Sequence, residues 1–344
     1  MVSHDNGGPA RAYPPAVPGA LEAPAEWAVL RAACPVAPVT LPSGDRAALL
    51  TRYADVKQVL SDPRCTRRLD EMVAHGHPAD LKASVGFPLP VWVICDLLGV
   101  PETDRDRFSR WSDMLLNLDR YGQHEIDAAQ RHFHAYMAGH LEARRAEPGE
   151  DLLSSLLTTT DADGGRLTDD QLAATGQALL IAGHETTANM IGKMLAMLLA
   201  DRRRWERLVA DRSLVRTAVE EVLRFDANSG FGMPRYVTED IEVGGTALAR
   251  GTTLVCSMAA ANRDEEAFAG AAGMSLDRSP NAHLAFGAGP HSCLGQALAR
   301  TELQVVLDVL LRRLPSLELA VAPDALRRIE GLVVGGLCEV PVRW

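Results

Sequence analysis

A helical pattern of apolar residues begins at Thr168 and runs to Ala200, and nothing else in the chain restricts its architecture so strongly. About 33 residues at about 1.5 Å each make roughly 50 Å, enough to cross a whole domain. Thr168 and Gln171 form a capping box, and Leu167 with Leu172 a hydrophobic staple, so the start is marked. The middle reads Ala182-Gly183-His184-Glu185-Thr186-Thr187, a carboxylate, a histidine and two hydroxyls in an apolar helix. Buried polar groups are costly unless paired, and a Thr hydroxyl bonded to the carbonyl one turn earlier bends the ladder. A polar stripe facing solvent is the plain alternative, and His184 alone reads as a surface or satisfied histidine.

Around this helix the chain is mainly α. Helical pattern extends from Leu81 to Arg224, with breaks expected at Pro88, Pro90, Pro101, Pro148 and the Asp161–Gly165 loop, and it returns over Leu294–Leu311. Tyr53–Leu60 also has helical spacing. Short β runs are expected at Val36–Leu41 and Ala47–Thr51, joined by Pro42, Ser43 and Gly44. Others fall at Arg235–Val237, Ile241–Val243 and Thr252–Val255, and apolar runs close the chain over Val333–Trp344. No repeat or linker divides it, so residues 21–344 read as one helix-rich domain after a flexible, Pro/Gly-rich tail, 1–20.

Charge and composition remove several functions. With 35 basic against 45 acidic residues the net charge is −10, which disfavours a nucleic-acid binder. No uncharged apolar run is long enough for a membrane span, and no secretory leader opens the sequence, so a cytoplasmic protein is expected. Only three basic residues are lysines (Lys57, Lys82, Lys193), an arginine bias that suggests a bacterial source. The six cysteines form no C-x-x-C pair, which leaves zinc ribbons and thioredoxin motifs unsupported, and most are expected to be buried, reduced thiols.

Cys293 is the exception. It lies in Phe286-Gly287-Ala288-Gly289-Pro290-His291-Ser292-Cys293-Leu294-Gly295, where two glycines permit a tight loop and helical pattern starts directly after the thiol. Free amide N–H groups and a positive helix end favour thiolate. Gly295 lets a flat ligand approach the backbone, and a thiolate beneath a flat ligand is what a cysteine-ligated haem iron requires. A Gly-rich loop before a helix, with no ligand, is the other reading.

The same segment resembles the cysteine-loop signature of the bacterial cytochrome P-450 family, F-x-x-G-x-H-x-C-x-G. Three further family elements follow in order: Ala182–Thr187 as the central-helix signature, Glu221-Val222-Leu223-Arg224 as E-x-x-R, and Ala261-Asn262-Arg263-Asp264 with Leu276-Asp277-Arg278 as the meander. Pro35-Val36, Thr51–Val56 and the closing Pro341–Trp344 are also family-like, so the resemblance covers roughly Leu21 to the end.

The resemblance implies a helix-rich P-450 fold and a haem-thiolate monooxygenase. Cys293 is then the axial ligand of haem b iron, its sulfur hydrogen-bonded by loop amides, with Phe286 shielding it and Gly287, Gly289 and Gly295 shaping the loop. His291 and Arg235 match positions that hold haem propionates, and Ala182 belongs with the cofactor contacts. Glu185 and Thr186 match the acid–alcohol pair that delivers protons for oxygen cleavage. Glu221, Arg224 and Arg278 match a buried network that positions the cysteine loop. The chain has no flavin or iron–sulfur motif, so electrons from NAD(P)H are implied to arrive through a ferredoxin or flavodoxin and its reductase. The small-molecule pocket is expected around Asn228–Met233, with Phe231, and Leu332–Gly335.

One departure is large. After Asp62-Pro63-Arg64-Cys65-Thr66 the sequence resumes at Leu69 with residues that the family places several dozen positions later. The missing block normally roofs the pocket and carries an H-x-x-x-R or W-x-x-x-R propionate contact, of which Arg67-Arg68 is at most a remnant. A natural compact form, an artefactual deletion and a degenerate member all fit. The intact Glu185–Thr186 pair favours a monooxygenase acting on a small hydrophobic molecule. The missing block favours a non-catalytic haem-thiolate sensor or scaffold.

Overall fold

The computed structural model describes residues 11–12, 36–40, 46–50, 72, 76, 78–117, 120–160, 165–226, 232–329, 331 and 334–344. The chain divides into two units, Met1–Arg67 and Arg68–Trp344, and the division falls at the junction where sequence reading places the missing block. In the first unit, β1 (Arg11–Ala12), β2 (Val36–Thr40) and β3 (Arg46–Leu50) form a sheet in that order. β1 pairs parallel with β2, and β2 antiparallel with β3, with Val36 opposite Leu50. Both expected β runs here are strands, each ending one residue early; the turn Pro42–Gly44, the tail and Tyr53–Leu60 lie outside the described residues.

The second unit is mainly helical. After β4 (Ala79–Asp80) and a π-helical turn, Lys82–Gly86, come α1 (Pro88–Leu98), α2 (Arg105–Leu116), α3 (Gln123–Ala146), α4 (Leu152–Thr158) and α5 (Asp169–Leu199). α6 (Arg202–Ala210) and α7 (Val215–Phe225) follow. Pro88 and Pro90, expected as breaks, instead occupy the first turn of α1, where the missing N–H groups have no intrahelical acceptor to lose. The break comes at Gly99, which ends α1 in the left-handed conformation with φ +67°.

β5 (Met233–Tyr236), β6 (Ile241–Val243), β7 (Thr246–Leu248) and β8 (Thr253–Cys256) make two small sheets. β5 pairs antiparallel with β8. β6 and β7 form a hairpin across Gly244-Gly245, both at positive φ, a two-residue turn that reading for apolar runs overlooked. Then come α8 (Met258–Ala261), the cysteine loop, α9 (Gln296–Arg313), β9 (Glu318–Leu319) and β10 (Pro341–Arg343). β10 lies between β4 and β9, antiparallel to both.

α5 crosses the unit as its length requires. Thr168 accepts from the Gln171 N–H while Gln171 Oε1 accepts from the Thr168 N–H, the expected capping box. Its N-terminal half puts Leu172, Ala173 and Leu180 into one core with Ile94 and Leu98 of α1, Phe108 of α2 and Phe133 and Met137 of α3. Its C-terminal half puts Ile191, Met194, Leu195 and Leu198 into a second core with Trp205 of α6, Val219 and Val222 of α7 and Leu307 and Leu310 of α9. Each such large side chain removed from water contributes about 1.5–3 kcal/mol. The polar stretch 182–187 therefore sits where one core ends and the other begins.

Candidate functional site

The cysteine loop is built by backbone bonds that glycine makes possible. Gly287 and Gly289 have φ of +70° and +72°, closed to most side chains. Gly287 N–H donates to Leu284 O at 2.9 Å, Ser292 N–H to Gly289 O at 3.1 Å, and Cys293 N–H back to Phe286 O at 2.8 Å. This fold-back displaces the helix start: α9 begins at Gln296 with Gly295 as N-cap, not directly after the thiol as expected. Gly295 offers no side-chain cap, so the first-turn N–H groups of α9 are left open close to the thiol. Cys293 is exposed and unbridged, and its neighbour Leu294 is 88% exposed.

Of the four described cysteines only Cys95 is buried, against the expectation for most of them. Cys256 ends β8, an exposed or half-buried strand, and Cys338 lies in the closing loop, where its thiol donates to Arg328 O.

Behind the loop stands a charged cluster. Glu221 and Arg224 are each 0% exposed. Arg224 Nε and Nη2 donate to the two Glu221 oxygens at 2.8 Å; Nη1 reaches Asn262 O and Ala271 O, and Nη2 also reaches Gly273 O. All five guanidinium donors are thereby used. Glu221 also accepts from Ser275 N–H, Arg278 Nε and Asn281 Nδ2. Burial pushes the Glu221 carboxyl up, but the Arg224 and Ser275 bonds and the charges of Arg224 and Arg278 outweigh it and hold the group below its ordinary range. Arg278 Nη1 donates to Ala269 O.

Asn262 joins this cluster to the loop. Its carbonyl accepts from Arg224, and its side-chain Oδ1 accepts from Leu284 N–H at 2.7 Å. A second link runs through Glu220, which accepts from His283 Nε2 at 3.0 Å and Arg300 Nε at 2.8 Å. His283 Nδ1 accepts from Ala285 N–H, and the Arg300 guanidinium lies 4.5 Å from the Phe286 ring centroid. Asn262, Glu220, His283 and Arg300 escaped sequence reasoning as site residues. The signal was present only as adjacency, Asn262 in the meander and Glu220 beside Glu221.

On α5 the small residues Ala178, Ala182 and Thr186, one turn apart, are exposed. Thr186 Oγ1 donates to Ala182 O at 2.8 Å, the expected back-bond. Glu185 is half-buried, and its Oε1 accepts from Asn189 Nδ2 at 3.1 Å. At Gly183 a Cβ would come within 2.6 Å of Ile94 Cδ1, so the glycine is what lets α1 pack close. His184 is 0% exposed and does not face solvent.

Arg235 and His291 are exposed. Arg235 donates to its neighbour Pro234 O at 2.8 Å, and neither residue forms an ion pair among the described residues. The loop Asn228–Met233 and the turn Leu332–Gly335 fall largely outside the described residues.

These features fit a haem. An open thiol lies beside an uncapped helix start, an exposed apolar side chain adjoins it, and the exposed nitrogen donors of Arg235 and His291, without an ion pair among the described residues, suit carboxylate substituents. Among the described residues no group of three or more His, Cys, Asp or Glu could hold a metal ion without a cofactor. No described helix is long and apolar enough to cross a membrane.

Comparison with known proteins points to one family. The family model "Cytochrome P450" matches residues 91–324. The chain is 38% identical to nocardicin C N-oxygenase of Nocardia uniformis subsp. tsuyamanensis over 394 aligned positions, covering 97% of this chain and 98% of the relative. It is 35% identical to mycinamicin IV hydroxylase/epoxidase of Micromonospora griseorubida, with 97% and 98% covered. Those 394 positions exceed the 344 residues of the chain, so gaps fall within it. Among solved structures, the LnmA cytochrome P450 hydroxylase of the leinamycin pathway of Streptomyces atroolivaceus superposes with a TM-score of 0.76 at 35% identity, covering 97% of this chain and 100% of that one.

Proposed function

Because the chain belongs to the cytochrome P450 family, we propose that it is a haem-thiolate monooxygenase that inserts one oxygen atom into a small hydrophobic organic molecule. The observation that carries this reading is the thiol of Cys293, exposed at the end of a loop that its own backbone bonds and Asn262 hold in one shape. When bound, haem b supplies the iron at which dioxygen is activated, with electrons that NAD(P)H provides through a ferredoxin or flavodoxin and its reductase.

The chain's own residues do the rest. Cys293 gives the sulfur, and the open N–H groups around Gly295 stabilise its negative charge. Phe286, half-buried beneath Arg300, screens the sulfur from water, while Gly287 and Gly289 keep the loop thin enough for a flat ring. Arg235 and His291 bind the propionates by charge-assisted bonds. Ala182 leaves room on the face of α5, and Thr186 and Glu185 hold the protons that oxygen cleavage consumes. The Glu221–Arg224–Arg278 cluster fixes the meander, and through Asn262 the height of the loop.

The reduced carbon-monoxide adduct tests this reading. The purified chain should show the strongly red-shifted Soret band of thiolate ligation, and Cys293→Ala should lose it; a band that survives the substitution removes Cys293 from the role. One observation favours a second reading, a haem-thiolate protein without turnover: the relatives carry internal sequence that this chain lacks. Coupled product formation with a ferredoxin and its reductase decides between the two.

A further inference from the structure

The mechanism above gives no part to His184 of the central-helix motif. It is 0% exposed, enclosed by the edges of Phe87 and Phe108 with ring centroids at 6.1 and 6.2 Å. Its Nδ1 lies 2.6 Å from Leu180 O. A carbonyl only accepts, so the Nδ1 proton is fixed there and the neutral ring must present a lone pair at Nε2. Nε2 is buried without a hydrogen-bond partner, and the polar atom it faces is Glu185 Oε2, 3.8 Å away. The other Glu185 oxygen is already committed to Asn189 Nδ2. Two acceptors therefore oppose each other, one buried and one on a partly exposed carboxylate, and one proton resolves the conflict by sitting on either of them. A small rotation or one bridging water closes the distance.

We propose that His184 and Glu185 share a single proton, and that His184 is a positioning residue which keeps that proton on the Glu185 carboxylate, next to Thr186 in the chain. The proposal rests on Glu185 and Thr186 being the proton-handling pair. When Glu185 gives the proton up, a carboxylate and a neutral imidazole remain, and a proton entering from solvent at the partly open edge of Glu185 restores the pair. Among the described residues the charged groups around it are few. Glu185 is the charge that acts on His184, whereas Phe87 and Phe108, from the elements packed on the other side, are uncharged. Lys82, on the π-helical turn, feels the charges of Glu185, Asp80 and Cys338, while its Nζ donates to Leu337 O. Burial holds the imidazole below its ordinary range, with the Leu180 bond and Glu185 working the other way.

The test uses the full chain labelled with ¹⁵N-histidine, as purified and in its diamagnetic ferrous carbon-monoxide form. His184→Gln identifies the resonance. The Nδ1–H tautomer is expected, with a protonation midpoint at Nε2 that falls by about one pH unit, tenfold in proton affinity, in Glu185→Gln. A midpoint within 0.2 units of the parent, on the order of assay error, or an Nε2–H tautomer, overturns the proposal. The tautomer and the midpoint are read without turnover, so their failure is distinguishable from a failure of the monooxygenase assignment. In the active enzyme, His184→Phe keeps the ring packing but should shift the pH profile of coupled product formation, and His184→Gln should restore part of it. An unchanged profile in His184→Phe also overturns the proposal.

Discussion

Replacing Arg224 by leucine should cost the Arg68–Trp344 unit about 6 kcal/mol, and the figure can be worked from its contacts. Removing one partner of a buried ion pair costs about 3–5 kcal/mol. The low end applies, because Glu221 keeps Arg278, Asn281 and the Ser275 N–H. The carbonyls of Asn262, Ala271 and Gly273 lose a donor each, and a buried group left unsatisfied costs about 1 kcal/mol or more. Arg224→Lys keeps the charge but has three donors on one atom in place of a five-donor fork, so about half the loss should remain. Urea unfolding followed by far-ultraviolet circular dichroism reads both variants. The native Glu221 carboxyl sits below its unfolded range, so its stabilisation is complete above the ordinary carboxylate pKa and disappears as pH falls through the lower folded value. Arg224→Leu should therefore also flatten the acid limb of stability. If Arg224→Lys unfolds within about 1 kcal/mol of the parent, the fork geometry is irrelevant and the reasoning fails.

Glu302, in α9, is 6% exposed with Oε2 unpartnered, and burial pushes its carboxyl up to about 7. The protonated form is thus favoured in the fold: that contribution is complete below the unfolded carboxyl pKa and lost as pH rises through about 7. Glu302→Gln should then be near neutral at pH about 4 and stabilising by about 3 kcal/mol at pH about 8, read from thermal unfolding at the two pH values. Gly183→Val places a branched side chain against Ile94 and should destabilise by about 1–3 kcal/mol, with partial recovery in the Ile94→Ala background; no loss on urea unfolding would mean that α1 is free to move away. Thr186→Ala should leave NAD(P)H consumption running while product falls and peroxide appears, and unchanged coupling would take the hydroxyl out of proton delivery.

What could be read from the sequence was whatever a local pattern encodes. The α5 start needed only Thr168 and Gln171, and β6 only the β-branched pair Ile241 and Val243. The glycines of the cysteine loop carried their own conformational message, since few other residues adopt φ near +70°. The start of α9 was misplaced by two residues because Cys293 N–H turns back to Phe286, a bond that no periodicity reveals. Pro88 and Pro90 were misread because proline excludes the interior of a helix but suits its first turn. The supporting shell of the loop was hidden for a different reason. Asn262, His283 and Arg300 come from three separate segments, and only their convergence on Leu284, Ala285 and Glu220 gives them a purpose.

The passage of α5 through both cores makes these packed regions thermodynamically dependent on each other. Each can open fully only by unwinding its own half of one continuous helix, so the backbone ladder between Leu180 and Met190 sets how far the opening of one spreads to the other. That ladder is weakest at its centre, where Gly183 adds backbone freedom and where His184 and Thr186 draw on the carbonyls of Leu180 and Ala182. Amide protons on either side should exchange slowly and in two separate groups, with the fastest in-helix exchange between them. The stretch that carries the motif is then also the joint along which the Arg68–Trp344 unit comes apart into two cooperative blocks.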